Sequence, residues 1–399
     1  MGGVTMLPMA AWRTRPGLAE LAGALDVAGG HARFVGGAVR DTLLGLDVAD
    51  IDLATTHRPD EVVRRLEAAG IKAIPTGIAH GTVTAVSAGT VVEVTTLRRD
   101  VETDGRHATV AFTDEWREDA ARRDFTMNAL YADPLTGEVF DYFDGLADLH
   151  AGRVRFIGDP YRRIAEDHLR ILRFFRFHAR FGHAIDAAGL AACIARANDL
   201  MALSRERIAA ELLKLLVARD AVPVVRLMQE NGLFRPVLPE VEADGVARLA
   251  TLATREAAAG VAPDAIRRLA ALVAPGTAEG VGARLKLSNH DRKRLVQADG
   301  GVGDEGARAL AYRVGTSVAL DRLLLAGADP APIIGWTPPS LPLGGGALVA
   351  RGIARGPDVA RTLRRVEDRW IAEGFPDATR VGQIADEQAD QLLRSARNA

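Results

Sequence analysis

Hydrophobic positions in the first hundred residues switch period several times. Leu18, Leu21, Leu25 and Val27 recur at helical spacing, so residues 15–28 predict an amphipathic helix. Ala32 to Val35 is a short apolar run with the length of a strand, and Gly36-Gly37 after it allows a sharp turn and close approach to a ligand. Residues 38–45 predict a short helix that stops at Gly45. In Asp50-Ile51-Asp52-Leu53 apolar and acidic residues alternate, which predicts a strand with Ile51 and Leu53 toward a core and both carboxylates on the opposite face. Pro59 opens a helix with Val62, Val63 and Leu66 on its apolar face. Lys72–Pro75, Thr82–Val86 and Thr90–Leu97 are rich in Val and Thr and predict strands. The first part of the chain therefore reads as a small mixed sheet with a few helices.

Residues 98–116 are polar and contain glycine, and predict a mobile loop that includes Asp104-Gly105-Arg106-His107. A helix is expected to carry Arg122 to Leu130, followed by a hairpin from Tyr131–Pro134 through Thr136-Gly137 to Val139–Phe143. Beyond Pro160 the chain turns helical. Over 161–181, Asp167, Arg170, Arg173, Arg176 and Arg180 share one side, while Ile171, Leu172, Phe174, Phe175 and Phe181 make the rest apolar. Residues 186–232 continue as helices, with Ser204 as an N-cap. Later turns mark a chain of short helices, and the Pro/Gly-rich stretch 327–346 sets off a last helical part, 347–399. The pattern divides into an α+β part, 1–150, and two all-α parts, 151–220 and 221–399.

Composition narrows this only a little. A chain of 399 residues can hold two or three domains. No apolar run approaches the ~20 residues of a membrane span, and Pro and Arg interrupt the first sixteen residues, so neither a membrane segment nor a secretory signal is expected. The single Cys193 rules out an internal disulfide and fits a reducing cytoplasm. A net charge of −2 argues against gross non-specific nucleic-acid binding but leaves room for a local basic channel. No His/Cys cluster points to zinc.

Asp50 and Asp52 beside a glycine turn suit a pair of Mg²⁺ ions, which bind a few carboxylates together with substrate phosphates. A lone Asp-x-Asp would read as two solvated acids; the turn and the Arg40-Asp41 helix just upstream favour chemistry. This arrangement resembles the nucleotidyltransferase superfamily that includes DNA polymerase β. Gly-Gly-Ala-Val-Arg-Asp-Thr-Leu-Leu-Gly, residues 36–45, is similar more narrowly to class II CCA-adding enzymes and bacterial poly(A) polymerases. The resemblance implies a polymerase β-like head followed by helical neck, body and tail, with Gly37 and Arg40 at the nucleotide. It also implies a third carboxylate on a neighbouring strand, a place Glu93 would fill; the alternative is that Glu93 faces water.

Arg122-Arg123-Asp124-Phe125-Thr126-Met127-Asn128-Ala129-Leu130 matches a second motif of that family. By resemblance Arg123 contacts nucleotide phosphate and Asp124 the ribose hydroxyls, roles that suit a guanidinium and a carboxylate. Asn128 reads as a structural hydrogen-bonder or a site residue, with the structural reading favoured. Asp141 to Leu149 resembles a hinge, and Arg205 to Leu216 a fifth motif that braces the base-reading helix, with Glu211 as a salt-bridge partner. Glu166-Asp167-x-x-Arg170 matches the motif that reads the incoming base, and Arg173 and Arg176 continue a phosphate-and-base track whose bland alternative is an exposed arginine stripe. The pairing edges of cytosine and adenine each present an amino donor and a ring-nitrogen acceptor. Asp167 as acceptor and Arg170 as donor complement both. Uracil and guanine present the opposite order and would leave polar groups unpaired.

The motifs together imply addition of CCA to tRNA 3′ ends from CTP and ATP, with Mg²⁺ and no template. The rivals are poly(A) polymerase, a partial A-adding or CC-adding enzyme and, from another class, a catalytically silent RNA-binding protein. An arginine-rich helix, 361–370, reads as a solvated face or an RNA contact.

Overall fold

Alternation decides the first sheet. In Thr90–Thr96 the residues Val92 and Val94 are buried while Val91 and Glu93 face out, and in Thr82–Ser87 Val83 and Ala85 are buried. The computed structural model describes residues 4–104 and 107–397. Its strands are β1 (Ala32–Val35), β2 (Ile51–Thr55), β3 (Lys72–Gly77), β4 (Thr82–Ser87), β5 (Thr90–Thr96), β6 (Arg98–Asp104), β7 (His107–Phe112), β8 (Leu130–Ala132) and β9 (Val139–Asp141). A seven-stranded sheet has the order β3-β4-β5-β2-β1-β8-β9. Only its β2–β5 pair is parallel. The sheet is thus mixed, as the sequence implied.

The chain divides into two compact units, Met1–Pro239 and Glu240–Ala399. The first unit adds ten helices among its described residues: α1 (Leu18–Ala24), α2 (Gly37–Leu43), α3 (Pro59–Ala68), α4 (Trp116–Ala121), α5 (Gly145–His150), α6 (Pro160–Glu166), α7 (Arg170–Phe181), α8 (Ala187–Ala195), α9 (Arg205–Leu216) and α10 (Ala221–Glu230). Ser204 caps α9 by accepting from the Arg207 N–H, as expected. The apolar face of α7 docks through rings. Phe174 stacks on Phe156 with centroids 5.5 Å apart, and Phe177 lies 5.2 Å from Phe125.

Three expected elements differ. Residues 98–112 are not irregular: β6 and β7 pair as a separate two-stranded sheet, and the Gly105-Arg106 part of the expected loop lies outside the described residues. The motif 122–130 is not a helix. Helix α4 ends at Ala121, and the chain passes through a turn, a single bridge between Phe125 and Phe156, and a 3₁₀ turn at Thr126–Asn128. The Asp124 carboxylate accepts from the Phe125 N–H and from Asn128 Nδ2, local bonds that compete with helix formation. The expected helix 161–181 is broken at Asp167, which adopts extended backbone and accepts from the Leu169 N–H. The segment resembling a hinge is densely bonded. Asp141 accepts from the N–H groups of Phe143, Gly145 and Leu146, and the fully buried Asp148 pairs with Arg153 and Arg155.

Apart from a single bridge between Val241 and Val273, the regular elements of the second unit among its described residues are helices: α11 (Ala243–Ala258), α12 (Ala265–Leu272), α13 (Ala278–Arg284), α14 (Asn289–Ala298), α15 (Ala307–Val314), α16 (Thr316–Ala326), α17 (Gly345–Val349), α18 (Pro357–Ala372) and α19 (Ala378–Arg397). One core gathers Leu348, Val366, Trp370, Val381 and Ile384. Buried charges are paired: Arg267 bridges Glu256 and Asp321, and Arg268 meets Glu256. Among the described residues no helix is long and apolar enough to cross a membrane.

Candidate functional site

Strand β2 and helix α2 position the first group. Ile51 and Leu53 are buried, so Asp52 projects from the other face of β2, half-buried, with the exposed Asp50 just before the strand. Parallel register places Asp52 directly opposite Glu93 of β5. An open cleft of about 690 Å³ is lined by Asp50, Asp52, Thr90, Val91, Glu93 and Arg15, among others. Burial, then the charge of Glu93 and to a smaller degree that of Asp50, push the Asp52 carboxyl up to about 6 against the pull of Arg123. Glu93 therefore faces water and also acts on Asp52. Among the described residues no group of three or more His, Cys, Asp and Glu is gathered to hold a metal on side chains alone. Adjacent carboxylate oxygens, with the ionisation of Asp52 opposed by its neighbours, nevertheless fit a divalent cation that takes its other ligands from water and phosphate.

The turn at Gly36 has φ 67° and ψ −123°, a conformation strained for any residue with a Cβ. A Cβ there would lie 3.6 Å from Arg123 Nη1. Arg123 is held in place: Nη2 donates to Asp119 Oδ2 at 3.1 Å and Nε to the Tyr131 hydroxyl at 3.2 Å, while that hydroxyl donates to Asp119 at 2.7 Å. Burial would raise Asp119, but Arg123, Arg122 and the Tyr131 bond outweigh it and hold the carboxyl at about 2.

Arg40 is 6% exposed. Its guanidinium bonds Asp41 and Asn128 Oδ1 and lies 4.4 Å over the Phe181 ring, so it braces α2 rather than opening toward a ligand. Asn128 accepts from Arg40 and donates to Asp124. Gly37 opens α2.

Helix α7 carries the arginine track, and each guanidinium ends on a different carboxylate. Arg170 meets Glu166 at 2.5 Å and reaches the Arg122 carbonyl; Arg173 meets Asp124 at 2.5 Å; Arg176 meets Glu211 at 2.5 Å; Arg180 meets Asp41 at 3.3 Å. The stripe is thus neither bare nor simply solvated. Burial would raise Asp124, and Arg173 and Asn128 bring it below the usual carboxylate range. Asp167 and Arg170 do not pair with each other; both Asp167 oxygens instead accept from Arg207 of α9, at 3.1 and 2.9 Å.

The structure thus gathers Asp50, Asp52 and Glu93 at the central β2–β5 pair with Arg123 in electrostatic reach, and ties Asp124, Arg173 and Arg176 into one network. Sequence reasoning missed Asp119, Tyr131 and Arg207, and the contact of Asp41 with Arg180. The spacing of Asp119 to Arg122 and Arg123, three and four residues, was a usable signal. Arg207 gave none, since its partner is 40 residues away.

Comparisons with known proteins bear on the family and the fold. Residues 32–155 match the poly A polymerase head domain, and residues 182–244 match the probable RNA and SrmB-binding site of polymerase A. The chain is 45% identical over 205 residues to the mitochondrial CCA tRNA nucleotidyltransferase 1 of Danio rerio, an alignment covering 50% of this chain and 47%, about half, of that relative. It is 33% identical over 380 residues to the Mus musculus protein of the same name, covering 86% of this chain and 83% of that one. The crystal structure of a Bacillus stearothermophilus CCA-adding enzyme in complex with CTP superposes with a TM-score of 0.76 at 27% identity, over 97% of this chain and 100% of that chain.

Proposed function

Since this chain belongs to the CCA tRNA nucleotidyltransferase family, we propose that it completes tRNA 3′ ends by adding C, C and A from CTP and ATP, without a template and with release of pyrophosphate. The observation that carries this reading is Asp52 facing Glu93 across the β2–β5 pair, with Asp50 alongside and Arg123 behind the Gly36 turn. Asp50 and Asp52 would hold Mg²⁺. Bound there, Mg²⁺ supplies Lewis acidity that makes the RNA 3′-hydroxyl a better nucleophile and offsets charge on the departing pyrophosphate.

The protein's own groups do the positioning. Arg123, fixed by Asp119 and Tyr131, would contact the triphosphate, and the glycine turn lets those phosphates approach the backbone. Asp124 now accepts from Arg173, Asn128 and Phe125, and would accept from ribose hydroxyls in exchange for part of the Arg173 contact. Arg40, Arg173 and Arg176 orient this group from behind. Asp167 and Arg170 would read the base edge. The Asp167–Arg207 pair is half exposed and costs about 0–1 kcal/mol to open, so a correct base can displace Arg207. Cytoplasmic residence is part of the proposal, supported by the single buried thiol.

The test offers purified protein, Mg²⁺, CTP and ATP to tRNA transcripts ending without CCA, without CA or without A, and resolves products at single-nucleotide length. Growth by C, C and A that then stops supports the reading. Long A tails would make the chain a poly(A) polymerase, growth by A alone or by CC alone a partial enzyme, and no growth a silent RNA-binding protein.

A further inference from the structure

The second unit holds a cavity of about 430 Å³ to which CCA addition assigns no role, within the ~300–1,000 Å³ range of small-molecule sites. Its walls include Arg248, Arg255 and Arg322 around Leu252, Ala271 and Pro275. Arg248 and Arg255 lie two turns apart on α11, and Arg322 comes from α16.

Each of these guanidiniums is fixed by backbone carbonyls at a helix C-terminus. Arg248 donates to the carbonyls of Ala271 and Val273 at 3.0 and 2.9 Å, Arg255 to Leu324 and Leu325 at 3.0 and 2.6 Å, and Arg322 to Gln297 and Gly301 at 2.7 and 3.2 Å. Two of them rest against glycines: a Cβ on Gly327 would come 2.6 Å from Arg255 Nη2, and one on Gly300 would come 2.4 Å from the Arg322 guanidinium. Among the described residues none of the three meets a carboxylate, and Arg248 Nη1, Arg255 Nη2 and Arg322 Nη2 have no protein acceptor.

That sets them apart from Arg267 and Arg294 in the same unit, which end on Glu256, Asp321 and Asp264. A helix C-terminus carries roughly half a negative charge, so it offsets only part of a guanidinium. Asp299, the acid in the lining, is exposed and accepts from the Gly276 N–H at 2.6 Å. An arriving oxyanion would have no arginine–carboxylate pair to break, and would meet forks already oriented. Leu252, Ala271 and Ala298 are buried and give the cavity an apolar floor.

We propose that this cavity binds a small phosphorylated compound, with phosphate oxygens on Arg248, Arg255 and Arg322 and the carbon body against Leu252 and Ala271. The experiment is calorimetric titration of the full chain, without divalent metal, using inorganic phosphate, pyrophosphate and ribose 5-phosphate as probes. Two variants accompany it. Thr251 is exposed on the rim, and T251E sets a carboxylate among the arginines while leaving their carbonyl bonds intact; R255M removes one fork. Saturable binding of a probe by the parent, weakened about tenfold or more in both variants while T251E keeps its parent melting temperature, is the expected result. No binding by the parent, or equal binding by T251E, overturns the proposal. If instead T251E weakens only tRNA binding and no small probe binds, the cavity belongs to an RNA surface, and the proposal is again overturned.

Discussion

Removing the charge of Asp119 tests how Arg123 is positioned. Asp119 is 1% exposed and takes bonds from Arg122, Arg123 and Tyr131. Its ordinary value of 3.8 falls to about 2 in the fold, a difference worth roughly 2–3 kcal/mol. The sign follows from linkage: a depressed carboxyl stabilises the fold above its unfolded value, and that contribution disappears as pH falls through about 2. Asp119→Asn imitates the protonated acid in nearly the same shape. It should therefore cost about 2–3 kcal/mol at pH 7, near the lower end of the ~3–5 kcal/mol for breaking a buried ion pair, because Arg123 keeps partial solvent access. Trp116 packs edge-on against Tyr131 with centroids 5.5 Å apart, so its fluorescence reports this site during urea unfolding, with Trp116→Phe as the assignment control. The parent–variant gap should narrow as pH is lowered from about 5 toward 2. A gap under about 0.5 kcal/mol at pH 7, or one equally large at pH 7 and pH 3, would refute the reasoning. Nucleotide KM should rise together with the loss of stability, since both depend on the same guanidinium.

Asp52 carries the opposite sign: its carboxyl is raised to about 6, so ionisation opposes folding and that cost grows as pH rises from 3.8 to about 6. Asp52→Asn should therefore abolish nucleotide addition yet stabilise the fold by about 1–3 kcal/mol at pH 7, and a destabilised variant would contradict the assignment. At limiting Mg²⁺, addition should fall about tenfold per pH unit below about 6, and more Mg²⁺ should move that limb lower; a flat profile from pH 7 to 5 excludes Asp52 as an ionised ligand. Asp167→Ala or Arg170→Ala should relax rejection of UTP or GTP in single-nucleotide incorporation assays, and unchanged preference in both would remove the base-reading role. Arg207→Ala should change stability by less than about 1 kcal/mol and lower the KM for CTP by vacating Asp167, whereas a raised KM would make Arg207 a support of that residue.

The sheet was legible because a half-buried strand writes its period into the sequence, as Val92, Glu93 and Val94 show. Asp50, Asp52 and Arg123 were legible because their chemistry is carried by short motifs. The β6–β7 pair was not: Arg-Arg-Asp-Val-Glu-Thr-Asp has no apolar face to alternate, and a pair of strands outside the main sheet imposes none. The motif 122–130 and the break at Asp167 were misread for one reason. Asp124, Asn128 and Asp167 sit among good helix formers, but their side chains satisfy nearby backbone or polar groups and end the helix. The partners of α7 were invisible because each carboxylate beyond Glu166 lies tens of residues away along the chain.

That helix also sets an order of assembly on the ribosome. Asp41 is made 139 residues before Arg180, and Asp124 is made 49 residues before Arg173. At about 5–20 residues per second, Asp41, already paired with its neighbour Arg40, waits roughly 7–28 seconds for Arg180, and Arg176 waits again for Glu211. A nascent chain of 150 residues thus carries Asp124 before the arginine that will meet it has been made. The ion pairs of α7 close only when α7 and α9 have left the exit tunnel, so a ribosome stalled before residue 216 displays an unfinished first unit.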